Sequence, residues 1–406
     1  MKNNWQIKKI EEICEVFADG DWIEKKDQST GGIRLIQTGN IGNGNFLDRG
    51  EKARYISEST FKRLRCTEVL PGDCLLSRLP DPVGRAGLIP ETGQKMITAV
   101  DCTIMRFKND ALPKWFIYYS LSLDYQNEIN KEVTGATRQR ISRSNLGNVK
   151  IPVPPISEQK QIVKALDVVF EKTSKAKENA EKNLQNASEL FASYLQSVFA
   201  NPGDGWEEKM LEEIGETQTG TTPKTVDKEN YGNYIPFITP ADIDISGDGT
   251  IRYREEGLSE KGLENGRKMK TNSILMVCIG ASIGKVGFVD RDVSCNQQIN
   301  SLTVKKGFCP KFFYYALSTK GFFEGVIKNS AQATLPIINK GKWEKLTVSY
   351  PPSEKEQQFI VAKLDTLSAE TKKLEAIYQQ KLADLEELKK SILQKAFNGE
   401  LLGACS

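Results

Sequence analysis

Ile151-Pro152-Val153-Pro154-Pro155-Ile156-Ser157-Glu158-Gln159 is answered 197 residues later by Val348-Ser349-Tyr350-Pro351-Pro352-Ser353-Glu354-Lys355-Glu356-Gln357. In each copy a short β-prone run is stopped by two prolines, and a serine follows where a helix N-cap belongs, with acidic residues in the first turn. Working outward, the likeness continues through most of the chain. Trp5 and Ile10-Glu11-Glu12-Ile13 match Trp206 and Leu211-Glu212-Glu213-Ile214 at an offset of 201. Val83-Gly84-Arg85-x-Gly87 matches Ile283-Gly284-Lys285-x-Gly287 at 200, and Pro113-Lys114-Trp115, Ala136-Thr137 and Pro154-Pro155 match Pro310-Lys311-Phe312, Ala333-Thr334 and Pro351-Pro352 at 197. Beyond the prolines the offset is 198, linking Ile162-Val163, Leu166-Asp167, Leu195-Gln196 and Phe199 to Ile360-Val361, Leu364-Asp365, Leu393-Gln394 and Phe397. An offset that drifts by only a few residues along the whole chain marks one unit present twice.

From 157 to 199, and again from 353 to 398, there is no proline or glycine. Each tract can form one helix of roughly 65 Å. The second carries a heptad stripe of Ile360, Leu364, Leu367, Thr371, Leu374, Tyr378, Lys381, Leu385, Leu388 and Ile392. The first carries Ile162, Leu166, Val169, Thr173, Ala176, Ala180, Ala187, Leu190 and Tyr194, where the alanines permit close approach. The first helix leads out of one domain and the second starts from the other. Pairing between them is therefore expected to be antiparallel, with the domains at opposite ends and a pseudo-two-fold axis between the halves. The expected segments are 1–155 and 201–352 for the globular domains, 156–200 for the first long helix, and 353–406 for the second helix and tail.

The chain's 406 residues, 39% of them hydrophobic, can supply a core for each domain. No stretch has the length and apolarity of a membrane span, and the N-terminal residues are polar where an export signal would be apolar, so a cytoplasmic setting is expected. Eight cysteines lack any C-x-x-C pair. They are expected to be reduced and mostly buried.

Histidine is absent altogether. That removes Ser-His-Asp and Cys-His nucleophile pairs, histidine metal sites and the commonest general base. Net charge is +3, divided as 23 basic and 19 acidic groups in 1–155 against 19 of each in 201–352. A lone DNA binder usually shows a larger basic excess, so any DNA contact here is local or shared with a partner.

Each globular half alternates short apolar runs with polar loops, the pattern of a mixed α/β fold. In each, one aromatic-rich helix, Trp115 to Leu123 and Phe312 to Ser318, is expected to pack on the sheet. In the first half the loops offer Gln37, Thr38, Asn40, Arg78, Arg85, Arg138, Gln139, Arg140 and Arg143; in the second, Thr221, Thr239, Asp242, Lys285, Gln297 and Gln298. Arg, Gln and Asn make two-pronged contacts with guanine and adenine edges, and Lys or Thr suits phosphate. These residues are the candidate DNA contacts.

Catalytic signatures are missing. Gly280-Ala281-Ser282-Ile283-Gly284-Lys285-Val286 has one residue too few between its glycines for a phosphate loop, and Val286 where Ser or Thr would hold magnesium. Asp81-Pro82-Val83 and Asn201-Pro202-Gly203 both lack the second proline and aromatic residue of amino-methyltransferase motifs. No cofactor, metal site or catalytic residue is expected.

The order of domain, Pro-Pro with a Glu-Gln helix start, long helix, second domain and second helix resembles the specificity subunit of type I restriction-modification systems. The likeness rests on the two stretches quoted first and on the endings Leu195-Gln196-x-x-Phe199 and Leu393-Gln394-x-x-Phe397-x-Gly399-Glu400-Leu401. It implies two globular α/β target recognition domains joined by two long antiparallel coiled-coil helices. Each domain would read one half of a bipartite site in double-stranded DNA, and the helices would set the gap and dock two methyltransferase subunits. Those subunits bring S-adenosylmethionine, and restriction subunits complete the full complex. Two other readings stay open at this point: a recognition subunit of a methyltransferase-only or phage-defence system, and a coiled-coil adaptor with two protein-binding heads.

Overall fold

A computed structural model describes residues 4–243, 249–331 and 335–401. Ala333 and Thr334 of the repeat, and Cys405 among the eight cysteines, lie outside them. The chain divides into two compact units: 1–181 together with 380–406, and 182–379. Each long helix is thus shared between the units.

In the first unit, β1 (Gln6–Lys9) is followed by β2 (Cys14–Asp19), β3 (Ile33–Ile36), β4 (Cys74–Ser77), β5 (Ala86–Leu88), β6 (Met96–Thr98) and β7 (Cys102–Phe107). Then come α1 (Pro113–Ser120), α2 (Leu123–Glu132), β8 (Lys150–Val153) and the long α3 (Ile156–Ala200). An antiparallel sheet runs in the order β2-β7-β4-β5, while β3 and β6 pair in parallel within a second sheet. β1 closes on β8, Gln6 opposite Val153, immediately before the prolines.

The second unit repeats the plan with β9 (Glu207–Met210), β10 (Gly215–Thr219), β11 (Phe237–Ile238), β12 (Ile274–Val277), β13 (Val286–Phe288), β14 (Val293–Cys295) and β15 (Ile299–Val304). It continues through α4 (Pro310–Leu317), α5 (Lys320–Asn329), β16 (Thr347–Tyr350) and α6 (Glu354–Phe397). Its main sheet has the order β10-β15-β12-β13, β11 pairs in parallel with β14, and β9 closes on β16. The architecture is α/β, present twice.

Aromatic side chains, most of them from α1 and α4, fill the main cores. Trp115, Phe116, Tyr119 and Tyr125 are buried in the first, and Phe312, Phe313 and Trp343 in the second. Each such side chain contributes about 1.5–3 kcal/mol by leaving water. Two buried glutamines fasten the helices to the domains. Gln159 accepts from the Leu112 amide at 2.8 Å and donates to the Asp110 and Pro154 carbonyls at 2.9 Å. Gln357 accepts from Cys309 at 2.8 Å and donates to Pro351 at 2.9 Å. Both side chains are fully buried, so the amide satisfied on both sides makes each junction specific.

Within the first unit Ile162 and Leu166 of α3 pack with Leu393, Ala396 and Phe397 of α6, and Lys177 pairs with Glu386 at 2.7 Å. Advancing along one helix means retreating along the other, so the two run antiparallel. In the second unit Ser188 donates to Glu375 at 2.8 Å and Leu195 shares a core with Val361 and Leu364, again antiparallel. The seam departs from the expected stripes in part. Leu364, Thr371 and Ala187 are buried, but Leu374, Leu388, Leu190 and Tyr194 face outward, and Val361, Ala396 and Leu195 are buried instead. The facing helix surface carries small residues such as Ala180 and Ala187, which lets short side chains sit inward and turns some leucines out.

Candidate nucleic acid interface

The antiparallel register gathers the first unit's loops at one end of its main sheet. β2 ends at Asp19 opposite Thr103, and β4 ends at Ser77 opposite Cys102. β3 ends beside β6, where the Ala99 amide donates to the Ile36 carbonyl at 2.9 Å, bringing Gln37 and Thr38 to the same end. The hairpin holding Arg138, Gln139 and Arg140 closes by paired bonds between Thr134 and Arg140, both 2.9 Å, and the next residue, Ile141, donates to the Arg78 carbonyl. Arg143 begins the short helix that follows and lies 3.8 Å from Asp19. All nine sequence-nominated residues of this half therefore meet at one sheet end.

Those residues differ in what is free to face a ligand. Arg138, Gln139, Arg140 and Arg143 are exposed, and Gln37 and Thr38 half-buried. Arg85 is buried, donating to the main-chain carbonyls of Ile41, Leu79, Pro82 and Thr38 at 2.7–3.2 Å. Arg78 is buried against the Val100 carbonyl with Asp19 at 3.5 Å. Asn40 is buried, its Oδ1 accepting from the Gln37 amide and its Nδ2 donating to Leu47, both at 3.0 Å. The fold occupies these three side chains in shaping the loops.

In the second unit β10 ends at Thr219 opposite Asn300, and β12 ends at Val277 opposite Ile299. Thr221 follows, its amide donating to Cys295 at 2.9 Å, and Gln297 and Gln298 sit on the turn leading into β15. Gln297 is exposed and accepts from the Thr222 hydroxyl; Gln298 is half-buried and accepts from Asn296 at 3.0 Å. Lys285 reaches the Ile243 carbonyl at 3.4 Å, the counterpart of Arg85 reaching Ile41. All six nominated residues of this half come to the corresponding end.

Asp242 is fully buried. It accepts from the Thr239 hydroxyl at 2.6 Å and binds Arg254 at 2.6 Å and Arg252 at 3.1 Å. Burial alone would push its carboxyl up, yet these hydrogen bonds hold it below the ordinary aspartate range. The two guanidinium groups it orients are half-exposed.

Glycines hold the ends of both sheets. A Cβ on Gly20 would lie 2.3 Å from the Ala99 carbonyl oxygen, and one on Gly220 would lie 2.2 Å from that of Asn296. Gly84 and Gly284 have φ of +79° and +90°, a turn that side chains resist. The shared frame is thus imposed at matching positions.

A sequence model of the type I restriction modification DNA specificity domain matches residues 2–185 and again residues 203–385. The chain belongs to this family. As a specificity subunit it recognises DNA rather than catalysing a reaction. It is 25% identical over 325 residues to the EcoBI specificity subunit of Escherichia coli, covering 72% of this chain and 67% of that one. The putative MjaX specificity subunit of Methanocaldococcus jannaschii is 20% identical over 419 residues, covering 98% and 94%. Among solved structures, a chain from a study of assembly and conformational transition of the type I system matches with a TM-score of 0.78 at 18% identity, covering 98% and 99%. The HsdS subunit from Thermoanaerobacter tengcongensis gives 0.63 at 18% identity, covering 98% of each. The fold is shared with both.

Three features of this specificity subunit were not picked out from the sequence. Arg252 and Arg254 are set by Asp242, 10 and 12 residues away in the chain, and no local motif encodes that bond. Trp22 is 70% exposed at the first sheet end, next to the Asp21–Ala99 bridge. Its sequence setting, Asp21-Trp22-Ile23, carries no local signal for that exposure. Among the described residues no group of three or more His, Cys, Asp or Glu could hold a metal ion, and no helix is long and apolar enough to cross a membrane.

Proposed function

We propose that each unit reads one half of a bipartite site in double-stranded DNA through its loop-bearing sheet end, and that the two long helices set the gap between the half-sites. The observation that carries this is the gathering of dispersed polar loop residues at matching sheet ends in both units. In the first unit Arg138, Gln139, Arg140 and Arg143, with Gln37 and Thr38, face the duplex; in the second, Gln297, Thr221, Thr239, Gln298 and Lys285 do, joined by Arg252 and Arg254. Asn40, Arg78, Arg85 and Asp242 serve the same sites by fixing loop shape.

Two methyltransferase subunits dock on the helices, and restriction subunits join in the full complex, in the cytoplasm. Val168, Leu190, Phe359, Ile377 and Leu388 turn apolar side chains outward on α3 and α6, which suits a binding surface better than a solvated one. Partners that surround the duplex also account for the small net charge.

Co-expression with the cognate modification subunits, followed by mapping of methylated bases in the host genome, tests the reading. A two-part motif with a fixed gap is expected. Exchanging residues 1–155 for those of another specificity subunit should change one half of that motif alone; a change in both halves overturns independent reading.

A further inference from the structure

The matching sheet ends differ in chemistry at four positions. At an offset of 197, Gln126, Asn130, Arg138 and Arg140 of the first unit correspond to Phe323, Ile327, Leu335 and Ile337 of the second. The correspondence is structural as well. α2 and α5 occupy the same place in the order of elements, the Thr134–Arg140 bridge is answered by Ala331–Ile337, and Ile338 bonds the Cys278 carbonyl as Ile141 bonds that of Arg78. The apolar replacements are not buried: Leu335 is 52% exposed, Phe323 and Ile327 39%, and Ile337 38%.

These side chains flank the loop that leads to Lys285. Ile337 bridges to Ile279, the Gly280 amide donates to the Pro336 carbonyl at 3.1 Å, and the Phe323 ring lies against Gly284. An apolar patch continuous with polar reading loops fits a duplex edge that is itself apolar. In the major groove that edge is the thymine 5-methyl group, which takes aliphatic and aromatic side chains where guanine takes arginine.

Resting on the DNA-reading function above, we propose that the second unit recognises its half-site through thymine methyl groups packed against Leu335, Ile337 and Phe323, while the first relies on Arg138 and Arg140. The second end then adds an apolar contact to its polar and ionic ones, whereas the first relies on polar and ionic contacts alone.

The test measures binding of the full chain, assembled with its modification subunits, to duplexes in which deoxyuridine replaces thymine in one half-site at a time. Only the methyl is removed. Affinity should fall about fourfold for each methyl contacted in the second half-site, from about 0.8 kcal/mol per buried methyl(ene). It should change little in the first. In the Leu335→Ala, Ile337→Ala double variant the deoxyuridine effect should shrink while the first half-site is read as before. Specific binding with no deoxyuridine effect in the second half-site overturns the proposal and leaves the DNA-reading function standing. Absence of sequence-specific binding at any salt overturns that function itself. If the double variant instead loses a modification subunit, with the deoxyuridine effect intact, the patch is a protein contact and the proposal fails.

Discussion

The Asp365 carboxylate of α6 accepts the Tyr315 hydroxyl of α4 at 2.5 Å, and Lys311 reaches its other oxygen at 2.8 Å. The first unit repeats the clamp, with Tyr118 and Lys114 (2.8 Å) on Asp167. Burial and the neighbouring carboxylate push the Tyr315 hydroxyl well above its ordinary range, so it stays a donor. Each clamp joins a long helix to the domain that precedes it.

Replacing Tyr315 by Phe or Asp365 by Asn should lower the stability of the second unit by about 1.5–3 kcal/mol, the worth of a hydrogen bond to a charged group. Urea unfolding of the two single variants and the double variant checks it. Strictly additive losses would show that the residues do not act together.

A methyl at Gly20 or Gly220 has no space beside the opposing carbonyl. Gly20→Ala and Gly220→Ala should each cost about 1–3 kcal/mol as an overpacked site, seen as a lowered unfolding midpoint. Gly31→Ala, where nothing lies within 4 Å, should cost far less.

Stability should depend on pH through Asp242. Its folded-state carboxyl titrates below the ordinary value of 3.8, which is close to that of the unfolded chain. The stabilisation is therefore complete above about pH 4 and lost as pH falls through the depressed value, since the unfolded chain then binds the proton more readily. Urea unfolding between pH 3 and 7 should show a steeper acid loss for the native chain than for Asp242→Asn, and parallel curves would contradict it.

Changing Arg138 and Arg140 to Gln removes two cations from the proposed first-unit reading end and should reduce the slope of log affinity against log salt by up to about 2, at about 0.9 per phosphate neutralised. Binding titrations across salt concentrations measure this. Arg85→Ala should behave differently, lowering the unfolding midpoint of the first unit because four carbonyls lose their donor.

The duplication and the long helices were legible because proline pairs and uninterrupted helical tracts are local signals. Of the two serines expected at N-caps, Ser353 precedes α6 and accepts from the Glu356 amide at 3.4 Å, whereas α3 already starts at Ile156 and holds Ser157 inside its first turn. The seam was legible only in part. Leu374 and Leu388 satisfy a heptad as well as Val361 and Ala396 do, and the choice depends on the size of the residues opposite. At the candidate sites, residue type marked Arg85 and Arg138 alike as DNA ligands. What separates them is burial: Arg85 is enclosed by carbonyls up to 47 residues away, whereas Arg138 stands on a hairpin tip. The Lys-Tyr-Asp clamps span about 50 residues and have no local pattern.

Arg85 holds its loops by main-chain oxygens alone, those of Thr38, Ile41, Leu79 and Pro82. A carbonyl is present whatever residue supplies it, so the side chains at those positions can mutate while the anchor persists. The outward side chains of these loops are thus uncoupled from the bonds that shape them, and a substitution there leaves the anchor in place.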